Sequence, residues 1–293
     1  MLNLVRIENF EGYPDITCGF KGNYIVTGDN TLDEWDGFSQ VFESLSIFKT
    51  FCNCNMTSTI LPRPGNPNKP SELEIKLNGF GYLLTLYENK VIYESLSRNK
   101  KLLAFRTDNV KDLFLNKDEF SESEMKSFSV LLEVGKGYPG IFSLCFQKKP
   151  VNEVNKIVLF EDSSYIYHEE DFQLEMTRFY LEYNIDPVYI INEYFHHIGK
   201  YELREDYKII DKTIGRKDLV LSYDQMGSGV KRFCRLVPYL YLAKSFKSTF
   251  ICNIFDNHFN PMVARGLWKD LVDDSFQIIT RLKGSAELYG HEE

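Results

Sequence analysis

Nowhere does the sequence hold a run approaching the roughly 18 apolar residues that a membrane-spanning helix needs. The opening MLNLVRIENF carries Glu8 and Asn9 where an export signal requires an apolar stretch, so none is read there. Cysteine is scarce, six in 293 residues, too few for a disulfide scaffold. Cys145 in FSLCF and Cys252 in FICNIF sit in apolar runs, as reduced core thiols do. Cys52 and Cys54 form a single C-x-C with no second pair, and are read as small half-buried residues ahead of metal ligands. These absences point to the cytoplasm and to a chain that does not engage a membrane. Positive charge is short as well: 34 Lys and Arg stand against 42 Asp and Glu, a formal charge of −8. That excludes a general nucleic-acid binder and leaves only a local basic patch as a route to one. There is no G-x-S-x-G, no H-E-x-x-H, no acidic set spaced as in a nuclease, no internal repeat and no low-complexity tract.

What is abundant is bulk. Hydrophobic residues make 43%, and 23 Phe and 18 Tyr supply a sizeable core. The first thirty residues alternate as strands: LNLVRIENF, ITCGF and NYIVTG. Phe38, Val41, Phe42, Leu45, Phe48 and Phe51 recur at helical spacing. LPRPGNPNKP holds four of the ten prolines and is an extended loop, because proline lacks the amide hydrogen of helix and sheet. From Glu72 to Arg106 the pattern is a meander with turns at Asn78-Gly79, Glu88-Asn89 and Asn99-Lys100. Residues 109–146 read as helical and mixed, then NKIVLFED as a short buried strand. FQLEMTRFYLEY and PVYIINEYFHHIGKY are two amphipathic helices parted by Asn184 to Pro187. A strand DLVLSYD, the segment MGSG and a helix VKRFCRLVPYLYLAKSF follow. Strand STFICNIF, helix PMVARGLWKDLVDD and strand FQIITRL close the chain. Strands followed by helices at both ends predict an α/β fold with one central sheet built from both termini, a β-meander insert and a helical middle.

Five segments, in order, resemble the ABC-type ATPase head of the SMC/RecF/OLD class. The likeness is nearest to small stand-alone bacterial ATPases of phage-defence and toxin–antitoxin operons. MLNLVRIENFEGYPDITCGFKGNYIVTGDN is similar to the family opening. SELEIKLNGFGYLLTLYENKVIYESL is similar to its β lobe, and SYDQMGSGVKRFCRLVPYLYLA to its signature loop and helix. NIFDNHFNP aligns without a gap to D-E-P-E-N-H-L-H-P, and QIITRL to a last strand ending in T-T-H. The resemblance implies a P-loop fold in one domain, with a core lobe at about 1–108 and 205–293 and a helical lobe at about 109–204.

The chemistry departs from that pattern. A phosphate loop G-x-N-x-x-G-K-[ST] needs its glycines for close approach, Lys for the β/γ-phosphates and a hydroxyl for Mg²⁺. Gly28 and Asn30 persist, but Asp33, Glu34 and Trp35 replace glycine, lysine and hydroxyl. Two like charges 4 Å apart repel by about 4 kcal/mol at an effective dielectric near 20, and each 1.4 kcal/mol is about tenfold in affinity. The same carboxylates suit a helix N-terminus. The Mg²⁺-shell Asp and the water-polarising Glu align with Asn253 and Ile254, and the switch histidine with Leu282 and Lys283. Asp256 is the one substitute base in reach, and otherwise opens the turn with Asn257. The resemblance therefore implies no catalytic residues, no metal and no bound cofactor, with ATP and Mg²⁺ present only if a partner subunit holds them.

Ser222, Gly227, Ser228, Gly229 and Lys231 keep the signature character, which in the family docks on the phosphate held by the other subunit of a head-to-tail dimer. The competing reading is a glycine-rich turn before a buried helix, in which case a bulky residue at Gly229 should do little. His196 and His197 are adjacent, so an α-helix would point them about 100° apart, away from a shared metal. Lys231, Arg232, Arg235, Lys244 and Lys247 form a mildly basic helix, read as a solvated face ahead of a nucleic-acid contact. The leading expectation is a silent ATPase-fold subunit, scaffold or regulator of a protein partner in a defence-type complex. A divergent active ATPase driving a nucleic-acid transaction is the alternative, and a pure interaction module the third reading.

Overall fold

The computed structural model describes residues 1–10, 15–27, 41, 45, 65–87, 90–107, 114–122, 157–160, 168–212 and 219–282. The chain divides into two compact units, Met1–Asn23 with Asn30–Ile157, and Tyr24–Asp29 with Val158–Glu293. The N-terminal segment supplies β1 (Leu2–Glu8) and β2 (Ile16–Gly19) to the first unit and β3 (Tyr24–Thr27) to the second.

In the first unit β4 (Ser71–Leu77), β5 (Phe80–Tyr87), β6 (Lys90–Arg98), β7 (Lys101–Thr107) and β8 (Phe114–Leu115) join β1 and β2. The result is one antiparallel sheet in the order β2-β1-β4-β5-β6-β7-β8. The meander is thus continuous with the opening strands. Its turns are of the kind that right-twisted hairpins favour. Asn78 and Gly79 have φ of 50° and 81°, and Asn99 and Lys100 have 49° and 68°. Burial alternates along β4, where Ser71, Leu73, Ile75 and Leu77 face inward. Glu94 is fully buried. It accepts hydrogen bonds from Tyr82 Oη at 2.6 Å and Arg106 Nε at 2.6 Å, and the two charged residues are direct cross-strand partners. Val41 and Leu45 are helical and buried, as the phenylalanine spacing predicts. Within 109–146 the described part carries the short strand β8, paired at Phe105↔Phe114, where a helical pattern was expected. The stacking of those two rings, 5.2 Å between centroids, accounts for the extra strand.

The second unit begins with β9 (Ile157–Phe160) and the helices α1 (Glu169–Tyr183) and α2 (Pro187–Tyr194). Three acidic residues open α1, and Asn184 closes it at φ 53° with its N–H on the Tyr180 carbonyl. Asp186 then caps α2 by accepting from Val188 N–H at 2.9 Å, with Pro187 in the first turn. α2 is shorter than its apolar pattern predicts. It gives way to a 3-10 turn at Phe195–His197 and a small antiparallel sheet of β10 (Tyr201–Leu203), β11 (Ile209–Asp211) and β12 (Leu219–Leu221).

α3 (Ser228–Ser245), β13 (Thr249–Ile254), α4 (Pro261–Leu271) and β14 (Gln277–Leu282) complete the unit. The main sheet runs β3-β14-β13-β9, and β14 is parallel to both β3 and β13. The sheet built from both termini is therefore this one, with β3 alone coming from the N-terminal segment. Its core gathers Phe172, Phe179, Phe195, Phe233, Phe250 and Phe255, all essentially inaccessible. Among the described residues no helix is long and apolar enough to cross a membrane.

Candidate functional site

In open sheets with parallel strands, ligands bind beyond the carboxyl ends of the strands. In this unit those ends belong to β3, β13 and β14. Opposite β14 the register of β13 slips, so Cys252 faces Thr280 and Ile254 faces Arg281, with Asn253 as the extra residue. Asn253 is half-buried. Its Oδ1 is shut off from solvent and accepts no hydrogen bond among the described residues. The Arg232 guanidinium of α3 reaches the same strand end. Its Nη2 donates to the Ile254 carbonyl and lies 3.6 Å from Cys252 Sγ. Arg232 is only 3% exposed, and burial pulls its pKa below the ordinary guanidinium value. It lies over the rings of Phe160 and Phe259, at 5.4 and 5.9 Å. A buried cation thus stands at the carboxyl end of β13. Asp256 and Asn257 are buried in the turn that follows, and Leu282 ends β14 fully buried. Gly28, Asn30, Asp33, Glu34, Trp35 and Lys283 lie outside the described residues, as do Cys52, Cys54 and Cys145.

The signature segment is described throughout. Ser222 precedes a 3-10 turn at Tyr223–Gln225, and its N–H donates to Gln225 Oε1 at 2.9 Å. Tyr223 is buried flat against Phe172, 4.3 Å between centroids and 7° between planes. Lys231 folds over the other element of that stack, its Nζ 5.3 Å from the Tyr223 centroid. Gly227 is the N-cap of α3 and is exposed together with Ser228. No side chain caps this helix and no acidic residue stands in its first turn, so its positive end is unopposed among the described residues. Gly229 differs in kind. A Cβ there would meet the His258 carbonyl oxygen at 2.8 Å, so the glycine is required by close backbone packing. A bulky residue at Gly229 would therefore disturb this packing whether the segment is only a turn or a contact in trans.

The basic helix is a solvated face only in part: Lys247 is exposed and Lys231 and Lys244 are half-buried, but its arginines turn inward. Arg232 and Arg235 are 3% and 5% exposed, and Arg235 Nε donates to Glu175 Oε2 at 2.7 Å. Lys244 Nζ is engaged by Asp273 at 3.1 Å and the Asp270 carbonyl at 2.8 Å. The hydrophobic period of α3 carried no sign that two of its arginines turn inward.

His196 and His197 also differ from expectation. The α-helix ends before them, and their rings lie 4.0 Å apart at the N-terminal side of Asp270 in α4. His197 Nε2 is 3.0 Å and His196 Nε2 3.8 Å from Asp270 Oδ2. Burial, and then His196, hold His197 below the usual imidazole range, with Asp270 opposing.

Comparison with known proteins follows the fold. An Smc head domain, crystallised bound to the C-winged helix domain of ScpA, superposes with a TM-score of 0.50 at 12% identity, covering 99% of this chain and 91% of that one. The fold is that of an Smc-type ATPase head. An Smc head with an extended coiled coil, bound to the C-terminal domain of ScpA derived from Pyrococcus furiosus, gives 0.45 at 11% identity over 99% and 90%. The recombination mediator RecF gives 0.43 at 11% identity over 98% and 93%. No family model and no curated protein matches the sequence. The head fold is thus kept at an identity where only architecture is shared.

Proposed function

We propose that this chain is a catalytically silent ATPase-head subunit that serves as scaffold or regulator of a protein partner, of the kind found in bacterial antiphage-defence complexes. The observation that carries the reading is Arg232. Its buried guanidinium sits on the Ile254 carbonyl, at the strand end where the head chemistry calls for two acids and a Mg²⁺ ion. A second cation at that end meets like charge; neither Asn253 nor Ile254 offers a carboxylate, and the nearby Asp256 already acts on Arg232. The sequence of the phosphate loop agrees: Glu34 stands where lysine is needed, flanked by Asp29, Asp33 and Asp36.

The chain would act through its signature segment. The uncapped N-terminus of α3, with Ser228 exposed and Lys231 beside it, can meet a phosphate held by a competent subunit in a head-to-tail pair. An Smc head bound to part of ScpA gives a precedent for a head that engages a protein partner. In this reading nucleotide and Mg²⁺ belong to the partner. Because Gly229 packs on His258, the test uses Ser228→Glu and Lys231→Glu. Both should abolish any stimulation of partner ATPase while leaving the unfolding midpoint of the chain within a degree or two. Unchanged stimulation with both variants contradicts the contact in trans.

A divergent active ATPase in a nucleic-acid transaction has one observation in its favour: Asp256 is buried two residues beyond Ile254. Mg²⁺-dependent phosphate release by the purified chain, lost in Asp256→Ala, would establish that reading in place of the first.

A further inference from the structure

We propose that His196, His197 and Asp270 form a binding site for a divalent transition metal of the zinc class, joining the corner after α2 to α4. The three ligand atoms lie within 4.8 Å of one another. Bonds of about 2.0 Å in a tetrahedral shell set ligand atoms about 3.3 Å apart. The two separations from Asp270 Oδ2, 3.0 and 3.8 Å, bracket that edge, so small side-chain rotations suffice.

Both imidazoles are presented correctly. His196 Nδ1 lies 2.9 Å from the Glu193 carbonyl, which can only accept, so Nδ1 carries the hydrogen and Nε2 keeps its lone pair toward Asp270. That contact also turns the His196 ring back beside its neighbour. His197 Nε2 is buried and close to Asp270, but it is not aligned for a hydrogen bond. An ion bridging the two would occupy the direction that the hydrogen bond does not.

The seat of His197 is built into α4. Gly266 lies inside that helix, where glycine costs about 1 kcal/mol against alanine. A Cβ at this position would stand 2.6 Å from His197 Nδ1. The recess is what lets the ring lie against the helix beside Asp270, one turn on. His196 and Asp270 are 62% and 42% exposed, so the outer side is open to water as a fourth ligand. Lys244 Nζ lies beside Asp270, donating to that residue's carbonyl, and the lysine charge is paired with Asp273. Two nitrogen donors and one carboxylate favour zinc, cobalt or nickel over magnesium or calcium.

The test uses the tag-free full chain with Co²⁺ and Zn²⁺ alone. Expected are one equivalent of Co²⁺ with the visible bands of a tetrahedral site, displacement by Zn²⁺, and a rise in unfolding temperature that Mg²⁺ does not give. His196→Ala, at an exposed position, should weaken binding at least tenfold with the metal-free unfolding temperature unchanged. Asp270→Asn should do the same, and Gly266→Ala should weaken it by displacing His197. Cys52→Ser with Cys54→Ser should leave it intact. Absence of saturable Co²⁺ or Zn²⁺ binding overturns the proposal. So does binding that survives both His196→Ala and Asp270→Asn, or that is lost in the cysteine variant.

Discussion

The two units handle buried charge in opposite ways. In the antiparallel sheet Glu94 and Arg106 sit directly across from each other on adjacent strands, and Tyr82 closes the acceptor side. Charge is cancelled within a few ångströms by residues close in sequence. In the α/β unit Arg232 comes from a helix to a strand end twenty residues away, where it meets a carbonyl and a thiol and feels the carboxylate of Asp256. The first arrangement serves the sheet. The second lies at the carboxyl end of β13, and in the proposed reading it is a changed site rather than a stabilising pair.

The comparison breaks most sharply at Glu94. Glu94→Leu leaves the Arg106 guanidinium buried without its carboxylate, and about 3–5 kcal/mol of stability should be lost in urea unfolding. Adding Arg106→Met should restore most of it. Arg232→Met should cost less, about 1.5–3 kcal/mol, the worth of a charged hydrogen bond to a carbonyl. A loss equal to that of Glu94→Leu would show that Arg232 is a structural ion like Arg106.

Two glycines two residues apart sharpen the contrast within the signature segment. Gly229→Ala drives a Cβ into the His258 carbonyl and should cost about 1–3 kcal/mol. Gly227 has φ −64° with nothing within 4 Å of its added Cβ, so Gly227→Ser should gain a few tenths of a kcal/mol as a better cap. Thermal unfolding of the pair reads both signs. The smallest effect is expected at Asp273, whose pKa is held below the ordinary carboxylate value chiefly by the Ser275 hydroxyl. A depressed folded pKa adds stability that is fully present above the ordinary carboxylate value and is lost as the pH falls below it through the folded pKa. Asp273→Asn should therefore lower stability slightly at neutral pH and change little below the folded pKa, which flattens the acid limb of the profile.

Much of the architecture was legible because it is local. Asn78-Gly79 and Asn99-Lys100 announce their hairpins, since few other residues accept two positive φ values in succession. Asp186-Pro187 and Asn260-Pro261 mark helix starts by cap and fixed φ. The order of α3, β13, α4 and β14 followed from alternating periods. What was hidden depends on partners remote in sequence. β8 exists because Phe114 meets Phe105. The burial of Arg232 and Arg235 needs Phe160, Glu175 and Ile254, none of which lies near them in the chain. The slip at Asn253 is a property of two strands together. The histidine pair was misread because the period of α2 continues in sequence past the point where the helix stops, and the useful signal was the lone glycine inside α4. The head-like motifs were read as residue types alone, and the cation at the strand end required the fold.

On the proposed reading, a strand end that holds its own buried cation, with Asp256 already acting on it, does not hold Mg²⁺–nucleotide by itself. Equilibrium titration of the purified chain with Mg²⁺ and a non-hydrolysable ATP analogue tests it directly. The account predicts no saturable binding up to millimolar nucleotide. Stoichiometric binding with a micromolar Kd, dependent on Mg²⁺, would contradict it.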